Sequence, residues 1–157
     1  MLERPLDESY ILTFLQEHKM AILSTVNESN FPDAAPIYYT VRYDFEMSFV
    51  TPEKTTKGQN IARQNHVVLT VTDEKKGETV QIRGIATAST EGLKEMYEHL
   101  GKRMNYSTSF IESLPALKHK DKVMEVVTVV PYEVRIRVYG VGIFSEKTLT
   151  FPAKSES

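Results

Sequence analysis

The stretch Val50-Thr51-Pro52-Glu53-Lys54-Thr55-Thr56-Lys57-Gly58-Gln59-Asn60-Ile61 holds the densest chemistry in the chain. It follows an alternating, strand-like run and opens a helical one. Three threonine hydroxyls and two lysine ammonium groups fall between Thr51 and Lys57. This set suits a phosphate monoester. Hydroxyls donate to phosphate oxygens, and lysines add charge-assisted hydrogen bonds. A helix N-terminus adds free N–H groups and the positive end of its dipole. Thr56 and Gln59 have capping-box spacing, in which the hydroxyl accepts from the third backbone N–H and the amide reaches back. The same residues also make a plain capped surface helix with solvated lysines, and spacing alone does not separate the two.

Other chemistries find no residues. There is no GxxxxGK phosphate loop, and Gly140-Val141-Gly142 meets Ser145 where a dinucleotide fingerprint has its third glycine. Neither HExxH nor GxSxG occurs. His18, His66, His99 and His119 are scattered without ligand spacing and read as surface or packed residues, so no metal site is expected. The absence of Cys removes thiolate nucleophiles, disulfides, iron–sulfur clusters and Cys-type zinc sites, and fits a reducing compartment. No acid–base residue identifies itself. Tyr38, Tyr39 and Arg83 are the polar groups to test, with Arg83 read as a surface charge.

The elements that must hold this loop lie in a chain of 157 residues, one domain (1–157) by length. Its net charge of −2 argues against nucleic acid, which requires a surplus of positive charge. No apolar run approaches a membrane span. The start, MLERPLDESY, lacks the apolar segment of a signal peptide, so the cytoplasm is the expected location.

Strand signals dominate. Phe45, Met47 and Phe49 alternate with polar or outward positions, as do Val67, Leu69 and Val71, then Val80 and Ile82, then Val134, Ile136 and Val138. Further strands read at 20–26, 35–42, 122–130 and 147–151. Turns read at Asn27–Asn30, Tyr43-Asp44 and Asp73–Glu78. About eight short strands with close turns predict an antiparallel barrel or sandwich. Asp7 can cap a helix running to about His18. Leu93, Met96, Tyr97, Leu100 and Met104 make an amphipathic helix, and a shorter one reads at 109–117 until Pro115 disturbs it. The segments 105–109 and 119–122 read as loops.

In their order, these pieces resemble the pyridoxamine 5′-phosphate oxidase-like, FMN-binding split-barrel family. The likeness runs from about Tyr10 to Val138. It comprises the N-terminal helix, the strand Met20-Ala21-Ile22-Leu23-Ser24-Thr25 and the run Phe31-Pro32-Asp33-Ala34-Ala35-Pro36-Ile37-Tyr38-Tyr39. Phe49-Val50-Thr51, the Lys54–Asn60 block, Asn65–Val71 and Val80–Ala86 follow. The resemblance implies a mainly β fold with flanking helices, an antiparallel split β-barrel. It implies that Pro36, Ile37, Tyr38 and Tyr39 line an isoalloxazine ring. Thr51, Lys54, Thr55, Thr56 and Lys57 would hold the ribityl phosphate, with Asn60 supporting them and Thr79 offering a polar contact to the flavin. It also implies a homodimer with cofactor sites at the subunit interface.

Departures from the family pattern bear on the substrate. The vitamin-forming oxidases end in an Arg-Leu-His-Asp-Arg type sequence, whereas this chain runs Val134-Arg135-Ile136-Arg137-Val138 and on to Ser157 without it. Ala34-Ala35 stands where those oxidases tend to carry Arg, and there is no Trp to stack on a flavin. The expectation is an FMN-dependent oxidoreductase of a different small substrate. The alternative is a storage, sensor or stress protein binding FMN, haem or a deazaflavin on the same barrel.

Overall fold

The computed structural model describes residues 5–104, 123–140 and 142–152. The expected helix at 109–117, the loops at 105–109 and 119–122, and His119 lie outside them. Among the described residues three helices, α1 (Glu8–Glu17), α2 (Thr56–Arg63) and α3 (Leu93–Met104), decorate eight strands. The strands are β1 (Met20–Val26), β2 (Pro32–Tyr38), β3 (Thr40–Val41), β4 (Met47–Pro52), β5 (His66–Asp73), β6 (Glu78–Ser89), β7 (Met124–Gly140) and β8 (Ile143–Thr150).

All pairings are antiparallel, in the order β2-β1-β5-β6-β7-β4-β3, with β8 also on β7. The fork arises because β7 is 17 residues long: its first half pairs with β4 and its second half with β8, while β6 runs along nearly all of it. β2 comes back beside β4 without pairing with it, so the barrel is split. Inward residues of the alternating strands, with Ile11, Phe14 and Leu15 of α1, form one core.

Local chemistry sets the turns. The Asn27 side chain accepts from the N–H groups of Ser29 (2.9 Å) and Phe31 (3.0 Å), and Asn30 takes φ 64°, closing the β1–β2 hairpin. Asp7 caps α1 by accepting from the Tyr10 N–H at 2.9 Å.

Three expectations about strands change. The run at 35–42 breaks at Tyr39, whose N–H donates to Lys19 O (3.2 Å) and whose ring turns fully into the core. β2 therefore starts earlier, at Pro32, and ends at Tyr38. The runs at 122–130 and 133–138 are one strand, because Pro131 sits opposite Gly84 at a register shift in β6. A bulge tolerates a proline that a regular ladder excludes. A Cβ on Gly84 would stand 2.6 Å from Val130 O, so only glycine lets the strands approach there. The last strand runs from Ile143 to Thr150, not over 147–151. Among the described residues no helix is long and apolar enough to cross a membrane.

Candidate functional site

The loop after β4 is built from inside. Thr51 is fully buried, and its hydroxyl lies 3.0 Å from that of Thr55. Thr55 donates to Pro52 O (2.9 Å) and accepts from the Gly58 N–H (3.2 Å), which makes it the N-cap of α2. The cap therefore falls one residue before the expected Thr56. Its partner is Gly58, so the reciprocal arm from Gln59 does not form. The loop backbone folds close over the helix start, and a Cβ at Gly58 would stand 2.7 Å from Glu53 O, so the position three residues after the cap carries no side chain to reach back. Thr51 and Thr55 thus spend their hydroxyls on the loop itself. Thr56 is exposed and keeps its hydroxyl for solvent or ligand.

Asn60, one turn into α2, is 5% exposed. Its amide donates to Thr25 Oγ1 (3.0 Å) and to Asp33 Oδ2 (2.8 Å). One side chain therefore ties α2 to both strands of the β1–β2 hairpin. Between them opens a cleft of about 600 Å³. β1 contributes Leu23 and Thr25, β2 contributes Asp33, Ala34 and Ala35, and the loop contributes Lys54, Thr55, Thr56 and Lys57. Burial pushes the Lys57 ammonium below its usual range. Among the described residues, neither Lys54 nor Lys57 is in an ion pair.

The other expected site residues lie elsewhere. Pro36 and Tyr38 point to the outer face of the sheet and Ile37 points to the core. None of the three lines the cleft, to which β2 contributes Asp33, Ala34 and Ala35. Tyr39 is a core residue. Its hydroxyl donates to Leu15 O (2.7 Å), the Arg103 guanidinium lies 4.8 Å from its ring, and burial pushes its pKa up to about 12. Thr79 lies on the outer face, 3.2 Å from the Thr72 hydroxyl. β1 and β5 separate it from β2, three strand spacings or about 14 Å. Arg83 is exposed and pairs with Glu133 at 3.3 Å.

Sequence reasoning misses Thr25 and Asp33. Both reach the cleft through the pairing Thr25↔Asp33, a register that no local pattern announces. The assembled cleft brings together two lysines, a threonine hydroxyl and a capped helix start, facing a strand edge, a set whose chemistry suits an anion. Asp33 is the one carboxylate in it, and one of its oxygens is held by Asn60.

A split antiparallel barrel with a lysine–threonine loop at a helix start defines the fold class. Within it the chain belongs to the pyridoxamine 5′-phosphate oxidase-like family, since the family model described as pyridoxamine 5′-phosphate oxidase matches residues 8–137. Solved structures agree on the fold. A putative pyridoxamine 5′-phosphate oxidase from Listeria innocua is 20% identical, over 82% of this chain and 96% of that one, with TM-score 0.64. An F420 reductase is 19% identical, over 84% and 98%, with TM-score 0.66. A haem-binding protein from Mycobacterium smegmatis is 17% identical, over 94% of this chain and 60% of that one, with TM-score 0.62. No curated protein matches the sequence.

Proposed function

We propose that this chain binds FMN and serves as a small flavin-dependent oxidoreductase. The observation that carries the reading is Lys57: a half-buried ammonium beside Lys54 and Thr56, without a carboxylate partner among the described residues, at the mouth of a cleft of nucleotide size. A phosphate monoester brings roughly −1.5 to −2 charges at neutral pH, which two lysines and a helix terminus balance. The cleft size falls in the range of small-molecule sites. When bound, the flavin supplies hydride transfer at N5, and the protein supplies position and electrostatics. Lys54, Thr56 and Lys57 hold the phosphate, Thr51, Thr55 and Asn60 hold the loop, and the β2 edge at 36–38 offers peptide groups to the ring. Thr79 serves the second site of a homodimer. No side chain is assigned to proton transfer.

The grip also fits a deazaflavin, which shares the phosphate, better than haem. No described histidine lines the cleft. Spectroscopy separates the readings. The chain, incubated with FMN and desalted, should keep a structured flavin band at about one cofactor per chain, and Lys57→Met should lose it. Retention of a deazaflavin or haem in place of FMN would replace the assignment. Catalytic oxidation of a reduced nicotinamide would separate an enzyme from a carrier, which binds without turnover.

A further inference from the structure

Asp33 is a carboxylate on the wall of a cleft whose other charges are positive. Lys54 and Lys57 reach the cleft from the loop after β4, and Asp33 reaches it from β2. Among the described residues no ion pair joins Asp33 to either lysine, so the two signs stand on different walls. Along β2 the less exposed positions are Asp33, Ala35 and Ile37. Asp33 therefore faces inward, on the same side of the strand as a core residue.

Its two oxygens have different duties. Oδ2 accepts from the Asn60 amide at 2.8 Å, and that amide also donates to Thr25 Oγ1 at 3.0 Å. The pairing Thr25↔Asp33 fixes the backbone. Oδ1 takes no hydrogen bond among the described residues, and it is not sealed from solvent. It is an acceptor open to the cleft and held in place by its sister oxygen.

A carboxylate beside a phosphate is unfavourable, because both are anions that accept hydrogen bonds and donate none. The arrangement turns favourable when the ligand carries a donor close to its phosphate. In the phosphate monoester of a sugar alcohol that donor is a hydroxyl of the carbon chain, and an O–H donating to a carboxylate makes one of the stronger hydrogen bonds. Among the described residues no three His, Asp or Glu side chains are placed to hold a metal ion in its stead.

We propose that Asp33 binds the ligand directly: it accepts a hydrogen bond from a hydroxyl on the chain that carries the phosphate, and so selects a polyol phosphate over a plain alkyl phosphate. The proposal rests on the flavin reading for the identity of that chain, the ribityl of FMN. The lysines attract either ligand, and Asp33 separates them.

The test compares FMN with the phosphopentyl flavin, which keeps the ring and the phosphate and lacks the ribityl hydroxyls. Fluorescence titrations of the full chain, with a chelator present so that no divalent cation bridges Asp33 and phosphate, read both affinities. FMN should bind at least about tenfold tighter, the usual effect of a hydrogen bond to a charged group. Asp33→Asn keeps an oxygen for Asn60 and sets an amide N–H₂ where Oδ1 stood, so the melting temperature should hold while the preference falls below about threefold. Ribitol 5-phosphate and n-pentyl phosphate, titrated by NMR, repeat the comparison without the ring. An unchanged preference in Asp33→Asn, or no preference in the unsubstituted chain, would overturn the assignment and confine Asp33 to fastening α2, with the flavin reading intact. A chain that holds neither flavin but keeps an Asp33-dependent preference for ribitol 5-phosphate would overturn the flavin reading alone. Absence of binding by all of these ligands would overturn both.

Discussion

Lys57 does opposite things to folding and to binding. Burial without a counter-charge disfavours its ammonium, so its folded pKa lies below the ordinary 10.5. The unfolded chain holds that proton more tightly, so without ligand the group opposes folding at neutral pH, and the opposition fades as pH rises towards 10.5. A bound phosphate reverses the sign by supplying the missing charge. Lys57→Met should therefore leave the melting temperature of the free protein unchanged or raised, while weakening FMN at least tenfold in a fluorescence titration. FMN affinity of the unsubstituted protein should fall at alkaline pH, beginning below 10.5. Thr55 behaves differently, because it caps the helix and does not reach outward. Thr55→Ala should cost about 1 kcal/mol in denaturant melts, with or without ligand.

Single side chains join the elements. Arg103 of α3 donates through Nη2 to Leu15 O (2.7 Å) and to His18 O, satisfying carbonyls at the end of α1, and Tyr39 lies under its guanidinium. The Tyr39 phenol is neutral when folded, with a pKa near 12 against the ordinary 10.0. Its contribution is whole below pH 10 and is lost as pH rises through 12. Tyr39→Phe should lower stability by about 1 kcal/mol, the usual net value of one hydrogen bond, and remove the step from the alkaline titration. Asn60 plays the matching part at the other end of β1. Asn60→Leu keeps the volume but leaves Asp33 and Thr25 without their donor. It should cost about 1–3 kcal/mol, speed amide hydrogen exchange across α2 and weaken FMN by displacing Lys57. How legible these elements were follows from the same residues. α1 and α3 carry clean periodicities and Asp7 caps α1, and the structure places them and β1 at the expected positions. The lysine–threonine loop was legible because its residues are contiguous. Thr25 and Asp33 were not, because they join the cleft through pairing register. Tyr39 looked like strand surface because the break in the strand depends on a contact with Lys19, twenty residues away. The continuity of β7 depends on Gly84 facing Pro131, a match between distant strands.

For the whole molecule, the outer face of the sheet is the open question. Met20↔Tyr38 and Ile22↔Pro36 pair directly, so four side chains of apolar character stand together on one face. Met20, Ile22 and Tyr38 are 50%, 39% and 53% exposed. A contiguous exposed apolar patch is the kind of surface that a partner covers. Two such barrels facing each other would bury it by a symmetric contact, the commonest arrangement of homodimers. Thr79 shares the outer face with Tyr38 but is separated from β2 by β1 and β5, so if a flavin lies at β2 of one chain, contact with Thr79 would come from a partner. Light scattering should then report twice the 17.9 kDa chain mass. Ile22→Lys, which places an ammonium in the middle of the patch, should yield monomers with the same circular dichroism. If the flavin site is built across the interface, those monomers lose FMN although Lys54, Thr56 and Lys57 are intact, and Thr79→Ala weakens FMN in the dimer only. Monomers that retain full FMN affinity would confine the site to one chain and remove Thr79 from it.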